Sequence, residues 1–130
     1  MILQRSIKDS VSATGVGLHS GKKVKLTLKP APENHGIVFC RTDLTSPMRI
    51  KADPTIVQDT KLCSAIGTEE FKVATVEHLM SALSALGIDN ILIEVNGPEL
   101  PIMDGSSISF IYLIKSAGII DQTLPKQFVF

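Results

Sequence analysis

The sequence predicts an α+β domain, a two-layer arrangement of mostly antiparallel sheet with two helices packed on one face. Three observations predict it. Strand-like segments fill the first half of the chain, residues 75–87 carry the apolar stripe of a helix, and a second, more apolar helical segment follows a further strand. Strands first and helices later is the order of an α+β protein, not of a regular βαβ repeat. The chain has 130 residues, enough for one domain with its own core.

The elements follow in order. Residues 4–12 mix apolar and polar side chains without a helical stripe and read as a strand. Residues 13–21 contain Gly15, Gly17 and Gly21 and read as a loop. Val24, Leu26 and Leu28 then alternate with Lys23, Lys25, Thr27 and Lys29, the period of a strand with one buried face. Pro30 and Pro32 end it. Residues 36–41 form the next strand and its expected hairpin partner, and residues 48–52 a short strand stopped by Pro54.

In residues 75–87, Val76, Leu79, Met80, Leu83 and Leu86 fill one stripe about 120° wide at about 100° per residue. Thr75 is read as the N-cap and Gly87 as the left-handed residue that ends the helix. Residues 90–95 are a strand, and Asn96-Gly97-Pro98 a turn. A second helix over residues 106–117 is apolar on most sides, which predicts deep burial, and Gly118 ends it. Residues 126–130 read as the start of another strand, following a Pro125 linker. The expected organisation is one domain over residues 1–124, with 125–130 a linker and the start of a truncated second domain.

Thirteen basic residues balance thirteen acidic ones, so no global charge favours nucleic acid. No apolar stretch is long enough to cross a bilayer, and the charged start is not a secretory signal. Two cysteines, Cys40 and Cys63, without such a signal read as free thiols in a reducing compartment, and the expected location is the cytoplasm.

The motifs divide. The glycine segment fails the spacing of a phosphate-binding P-loop, because Val16 stands where the first glycine is needed and Lys23 follows Lys22. It reads as a flexible turn. Glu77 and His78 sit in the first helical turn, off the apolar stripe by about 60° and about 80°. Ala82 and Ala85 on the His78 side leave expected room for a ligand or a second domain. An imidazole is a good zinc ligand, and a neighbouring carboxylate can take a proton from water. The same pair also suits a solvated helix N-terminus.

A catalytic zinc takes three protein ligands. No second His follows His78 one turn on, and the other histidines are His19, in the glycine segment, and His35, in a Pro-rich turn and expected to be exposed. Cys40 and Cys63 lack Cys-x-x-Cys spacing. The local sequence therefore supplies an incomplete metal site. Asp104-Gly105-Ser106 reads either as a turn with a helix cap or as a functional Asp that orients a neighbour.

Several stretches together carry a resemblance. They include residues 13–21, Arg41-Thr42-Asp43-Leu44, Asp59-Thr60, Leu62-Cys63, Thr75-Val76-Glu77-His78-Leu79, residues 86–90 and residues 101–106. In that order and spacing the chain resembles the N-terminal domain of the UDP-3-O-acyl-N-acetylglucosamine deacetylases, across nearly its whole length. The resemblance implies a cytoplasmic zinc amidase of lipid A synthesis, with two similar domains and the active site between them. It implies His78 as a zinc ligand and Glu77 as general base. It further implies Leu18, His19, Leu62 and Cys63 at the cleft, and Asp104 in a supporting position. The remaining zinc ligands and the general acid belong to the second domain. This chain alone is therefore expected to be inactive. The competing reading is a non-catalytic α+β module that binds a partner or a phosphate group through the glycine segment and Lys22-Lys23.

Overall fold

The computed structural model describes residues 2–44, 48–52, 57–59, 64–67, 72–103 and 107–126. The first half is built of strands: β1 (Leu3–Ile7), β2 (Val11–Gly17), β3 (Lys23–Pro30), β4 (Ile37–Arg41), β5 (Met48–Lys51), β6 (Val57–Asp59), β7 (Ser64–Gly67) and β8 (Lys72–Ala74). Helix α1 (Glu77–Ala85), β9 (Ile91–Val95), β10 (Pro101–Ile102), α2 (Ile108–Ala117) and β11 (Ile119–Pro125) follow. The α+β class holds.

The main sheet has six strands in the order β10-β2-β3-β9-β4-β5. A two-stranded ribbon pairs β1 with β11, and β6, β7 and β8 form a separate meander. Residues 36–41 are not the hairpin partner of β3. Strand β9 lies between them, antiparallel to β3 and parallel to β4. The reason is burial: Ile91, Ile93 and Val95 are fully buried, so the apolar β9 takes the middle of the sheet. A parallel pair needs a crossover, and the chain between β4 and β9 supplies it through α1. That crossover lays α1 on the sheet.

The predicted alternation of β3 is realised. Val24, Leu26 and Leu28 point into the core while Lys23 and Lys25 face solvent. The core gathers these with Phe39, Leu79, Leu83, Phe110 and Ile114. Of the two small residues expected to leave room beside His78, Ala85 is exposed, whereas Ala82 is fully buried in the core. A small residue there lets the helix approach its neighbours closely. The deep burial expected of α2 is only partly found: Phe110, Ile114 and Ala117 are buried, but Ile108 and Tyr112 are 55% and 70% exposed. These two stand one turn apart on the same helix face.

The glycine segment is mostly strand. Residues up to Gly17 belong to β2, and only Leu18 to Ser20 turn. Gly15 and Gly17 serve close approach. A Cβ on Gly15 would lie 2.7 Å from the Ile102 carbonyl oxygen, and one on Gly17 would lie 2.1 Å from Glu99 Oε1. Strand β10 fits against β2 because these side chains are missing. Glycines packed this way are not a flexible anion cradle.

Helix ends were partly legible. Gly87 and Gly118 have φ of 68° and 84°, as their terminating positions require. His35 is half-buried, not exposed, with Nδ1 2.9 Å from the Gly36 carbonyl oxygen. Strand β11 was not expected, since Ile119–Pro125 lacks alternation. Buried amides tie its ribbon to the sheet: Asn90 Nδ2 donates to Gln4 Oε1 at 2.9 Å and to Gln122 Oε1 at 2.7 Å, and Asn90 Oδ1 accepts from Gly36 N–H at 2.9 Å. Residues 127–130 of the expected final strand lie outside the described residues.

Candidate active site

Helix α1 begins directly at Glu77, and its first turn carries both Glu77 and His78. Thr75 is not its N-cap. Val76 occupies that position and makes no side-chain capping bond. Thr75 instead has φ of 59°, a left-handed conformation that a β-branched residue rarely adopts. Its Oγ1 donates to the Leu100 carbonyl at 3.3 Å. The strained residue turns the chain sharply out of β8, and Val76 drops fully into the core. Glu77 and His78 are left half-buried. A carboxylate in the first turn also gains from the helix dipole.

Both side chains line one cavity of about 200 Å³. Thr75 and Leu18 border it, β10 contributes Pro101 and Ile102, and Met103 and Phe110 also line it. The two residues about 100° apart on the helix thus share a single space. Most of that wall is apolar. Glu77 and His78 stand at the helix end of a recess whose other described walls are mostly apolar.

The predicted cleft residues separate. Leu18 lines the cavity while remaining 54% exposed. His19 is exposed and does not border the cavity, although its backbone N–H donates to Glu99 Oε1 at 2.9 Å. Leu62, Cys63 and Asp104 lie outside the described residues. Cys40 is buried and free. Among the described residues no three His, Cys, Asp or Glu side chains come together as a metal site. Among the described residues, the chain brings one imidazole, His78, and one adjacent carboxylate, Glu77, to the cavity. That donor set fits part of a catalytic zinc centre and not a whole one.

A second recess of about 160 Å³ is polar, lined by Gln4, Asn34, Gly36, Lys51, Asp89 and Asn90. Its amides are engaged with one another and with the backbone, which marks it as part of the ribbon attachment.

The profile of the family described as UDP-3-O-acyl N-acetylglycosamine deacetylase matches residues 4–130. The chain belongs to that family. It corresponds to the deacetylase N-terminal domain. It is 55% identical to the UDP-3-O-acyl-N-acetylglucosamine deacetylase of Chromobacterium violaceum, over 99% of this chain and 43% of that protein. It is 57% identical to the deacetylase of Chromohalobacter salexigens and 58% identical to that of Neisseria meningitidis, each across 43% of the relative. The chain thus spans less than half the length of these deacetylases.

Sequence reasoning named Glu77, His78 and Leu18, and all three line the cavity. It did not find the wall formed by Pro101, Ile102, Met103 and Phe110, nor the strain at Thr75. Residues 101–103 were visible as part of a motif without a role. The signal for Phe110 was its place in an apolar helix, which does not distinguish cavity wall from core.

Proposed function

We propose that this chain is the half of a zinc-dependent deacetylase that supplies the general base, Glu77, and one zinc ligand, His78. The substrate is UDP-3-O-(hydroxyacyl)-N-acetylglucosamine, and the reaction is hydrolysis of its acetamide to acetate and a free amine, in the cytoplasm. The observation that carries the proposal is the convergence of Glu77 and His78 on one cavity in a chain of the deacetylase family. Residues 1–124 are taken as the domain that contributes them.

His78 fits the role of a single neutral nitrogen ligand, and the remaining protein ligands and the general acid come from the second domain. Zinc, when bound, supplies Lewis acidity toward the acetamide carbonyl and toward water. Glu77 takes the proton from the water oxygen as that oxygen attacks the acetamide carbon. The C–N bond then breaks, and the amine nitrogen receives a proton from the second domain. The apolar wall of Pro101, Ile102, Met103 and Phe110 limits water around the carboxylate, which strengthens its electrostatic interactions. Glu77 and His78 are held on the first turn of a helix whose other face is locked into the core by Leu79 and Leu83. This fixes their direction before substrate arrives.

The test is acetate release by the full-length protein beside its Glu77→Ala variant. Zinc-dependent release that drops roughly a hundredfold or more in the variant is the expected result for a general base. No release from a folded, zinc-loaded full-length protein would overturn the reading.

A further inference from the structure

Glu99 is a buried acid with no part in the chemistry above. It is 3% exposed, yet it lies just before β10, the strand that walls the cavity. Its Oε1 accepts the backbone N–H of His19 at 2.9 Å and approaches that of Ser20 at 3.5 Å. These two amides belong to the turn that carries Leu18 to the cavity rim. The approach is built into the backbone, because Gly17 has no Cβ where one would strike the Glu99 carboxylate. The turn is closed from within as well: Gly21 N–H donates to Gly17 O at 3.0 Å, Gly17 N–H to Lys22 O at 2.9 Å, and Lys22 N–H to Ser20 Oγ at 3.2 Å. The turn caps the β2–β3 hairpin, where Val16 and Lys23 pair at its base, and the Glu99 carboxylate reaches it from outside the hairpin.

The other wall is clipped to the same segment. Leu100, the next residue, receives the Thr75 hydroxyl at the entry of α1. Pro101 pairs with Gly17 and Ile102 with Val16. Residues 99–102 therefore connect the Leu18 turn, β2 and the head of the catalytic helix.

We propose that Glu99 is a positioning residue: its buried carboxylate holds the turn of residues 18–20, through the His19 and Ser20 amides, so that Leu18 closes one side of the substrate cavity. This rests on the deacetylase reading of that cavity and adds a determinant of substrate binding to it. Glu99 touches no reacting atom. Its loss frees the turn and removes the Leu18 wall, leaving Glu77 and His78 on their helix. The effect falls on substrate binding before it falls on the chemical step.

The experiment uses the full-length protein with Glu99→Ala, Glu99→Asp and Glu99→Gln, read by steady-state acetate release and by hydrogen exchange across residues 17–22. The expected result for Glu99→Ala is a KM raised roughly tenfold with kcat within about threefold. Exchange is faster in the turn and unchanged in α1. Glu99→Gln keeps an acceptor oxygen and restores most of KM, and Glu99→Asp, one methylene shorter, falls between. Leu18→Ala is expected to raise KM without speeding exchange in the turn. An unchanged KM in a folded Glu99→Ala, or a loss confined to kcat, overturns the proposal while leaving the deacetylase reading intact. Should Glu99→Ala fail to fold, the Asp and Gln pair decides: equal KM values in the two overturn it. If the wild-type protein releases no acetate, the deacetylase reading falls. Exchange alone then judges the anchor, and unchanged protection at His19 and Ser20 in the variants overturns it.

Discussion

The hydroxyl of Thr75 donates to the carbonyl of Leu100 at 3.3 Å, across the junction where β8 gives way to α1. This bond holds a β-branched residue at φ of 59°, two positions before Glu77. Backbone held in a sparsely populated region costs about 1–3 kcal/mol and persists only where its surroundings fix it. Here the surroundings are Leu100, just before β10, and the cavity that Thr75 borders.

Replacing Thr75 by Gly separates strain from position. Glycine accepts the positive φ freely but loses the hydroxyl. Relieved strain and the lost hydrogen bond offset each other, so unfolding free energy should change by no more than about 1 kcal/mol. Acetate release by the full-length protein should fall roughly tenfold, because the head of α1 is less firmly placed. Denaturant melts and initial rates on the same preparation check both statements. A rate equal to wild type would show that the bond does not position the helix.

Gly15 meets backbone, which cannot swing aside. A Cβ there would stand 2.7 Å from the Ile102 carbonyl oxygen and 2.9 Å from Pro101 Cβ. Gly15→Ala should therefore destabilise this chain by about 1–3 kcal/mol, as an overpacked contact does. Urea unfolding of the purified variant measures it. A stability equal to wild type would mean that β10 can shift without cost.

Zinc binding should depend on the rest of the protein. His78 is a lone imidazole at the cavity, and no three-ligand cluster exists among the described residues. Titration calorimetry on the isolated chain should reveal no tight stoichiometric zinc, whereas His78→Ala in the full-length protein should weaken zinc binding by roughly a hundredfold or more. Tight binding by the isolated chain that disappears in His78→Ala would refute the divided site.

Asp43 links stability to acid. The Arg41 guanidinium hydrogen-bonds its carboxylate through Nε at 3.1 Å and Nη2 at 2.7 Å, and this holds the Asp43 carboxyl below the ordinary value of 3.8. A lowered folded value means that the contribution is fully present above the unfolded value. It is lost as pH falls through the folded one. Because Asp43 is open to solvent, Asp43→Asn should cost no more than about 1 kcal/mol at neutral pH, and the gap from wild type should narrow only below about pH 4. Melts at pH 7, 5 and 3 would show it. A gap that stays constant to pH 3 would remove the ion pair as its cause.

Local pattern determined much of this protein. The stripe from Val76 to Leu86 placed α1, because a helix reports its buried face every three or four residues. The alternation in β3 placed a strand and its inward residues for the same reason with a period of two. Glu77 and His78 stood out beside the apolar stripe, and motif order pointed to the deacetylase family. Tertiary structure decided the rest. Nothing near residues 36–41 indicates that their neighbour is β9, fifty residues on, because strand order is set by which strand can be buried. Gly15 and Gly17 look like loop glycines until β10 is laid against them. Ala82 looks like free space until the core fills around it. Thr75 looks like a cap until the carbonyl of Leu100, brought close by the fold, claims its hydroxyl. Each of these depends on a contact between residues far apart in the chain, and a local pattern carries no record of such a contact.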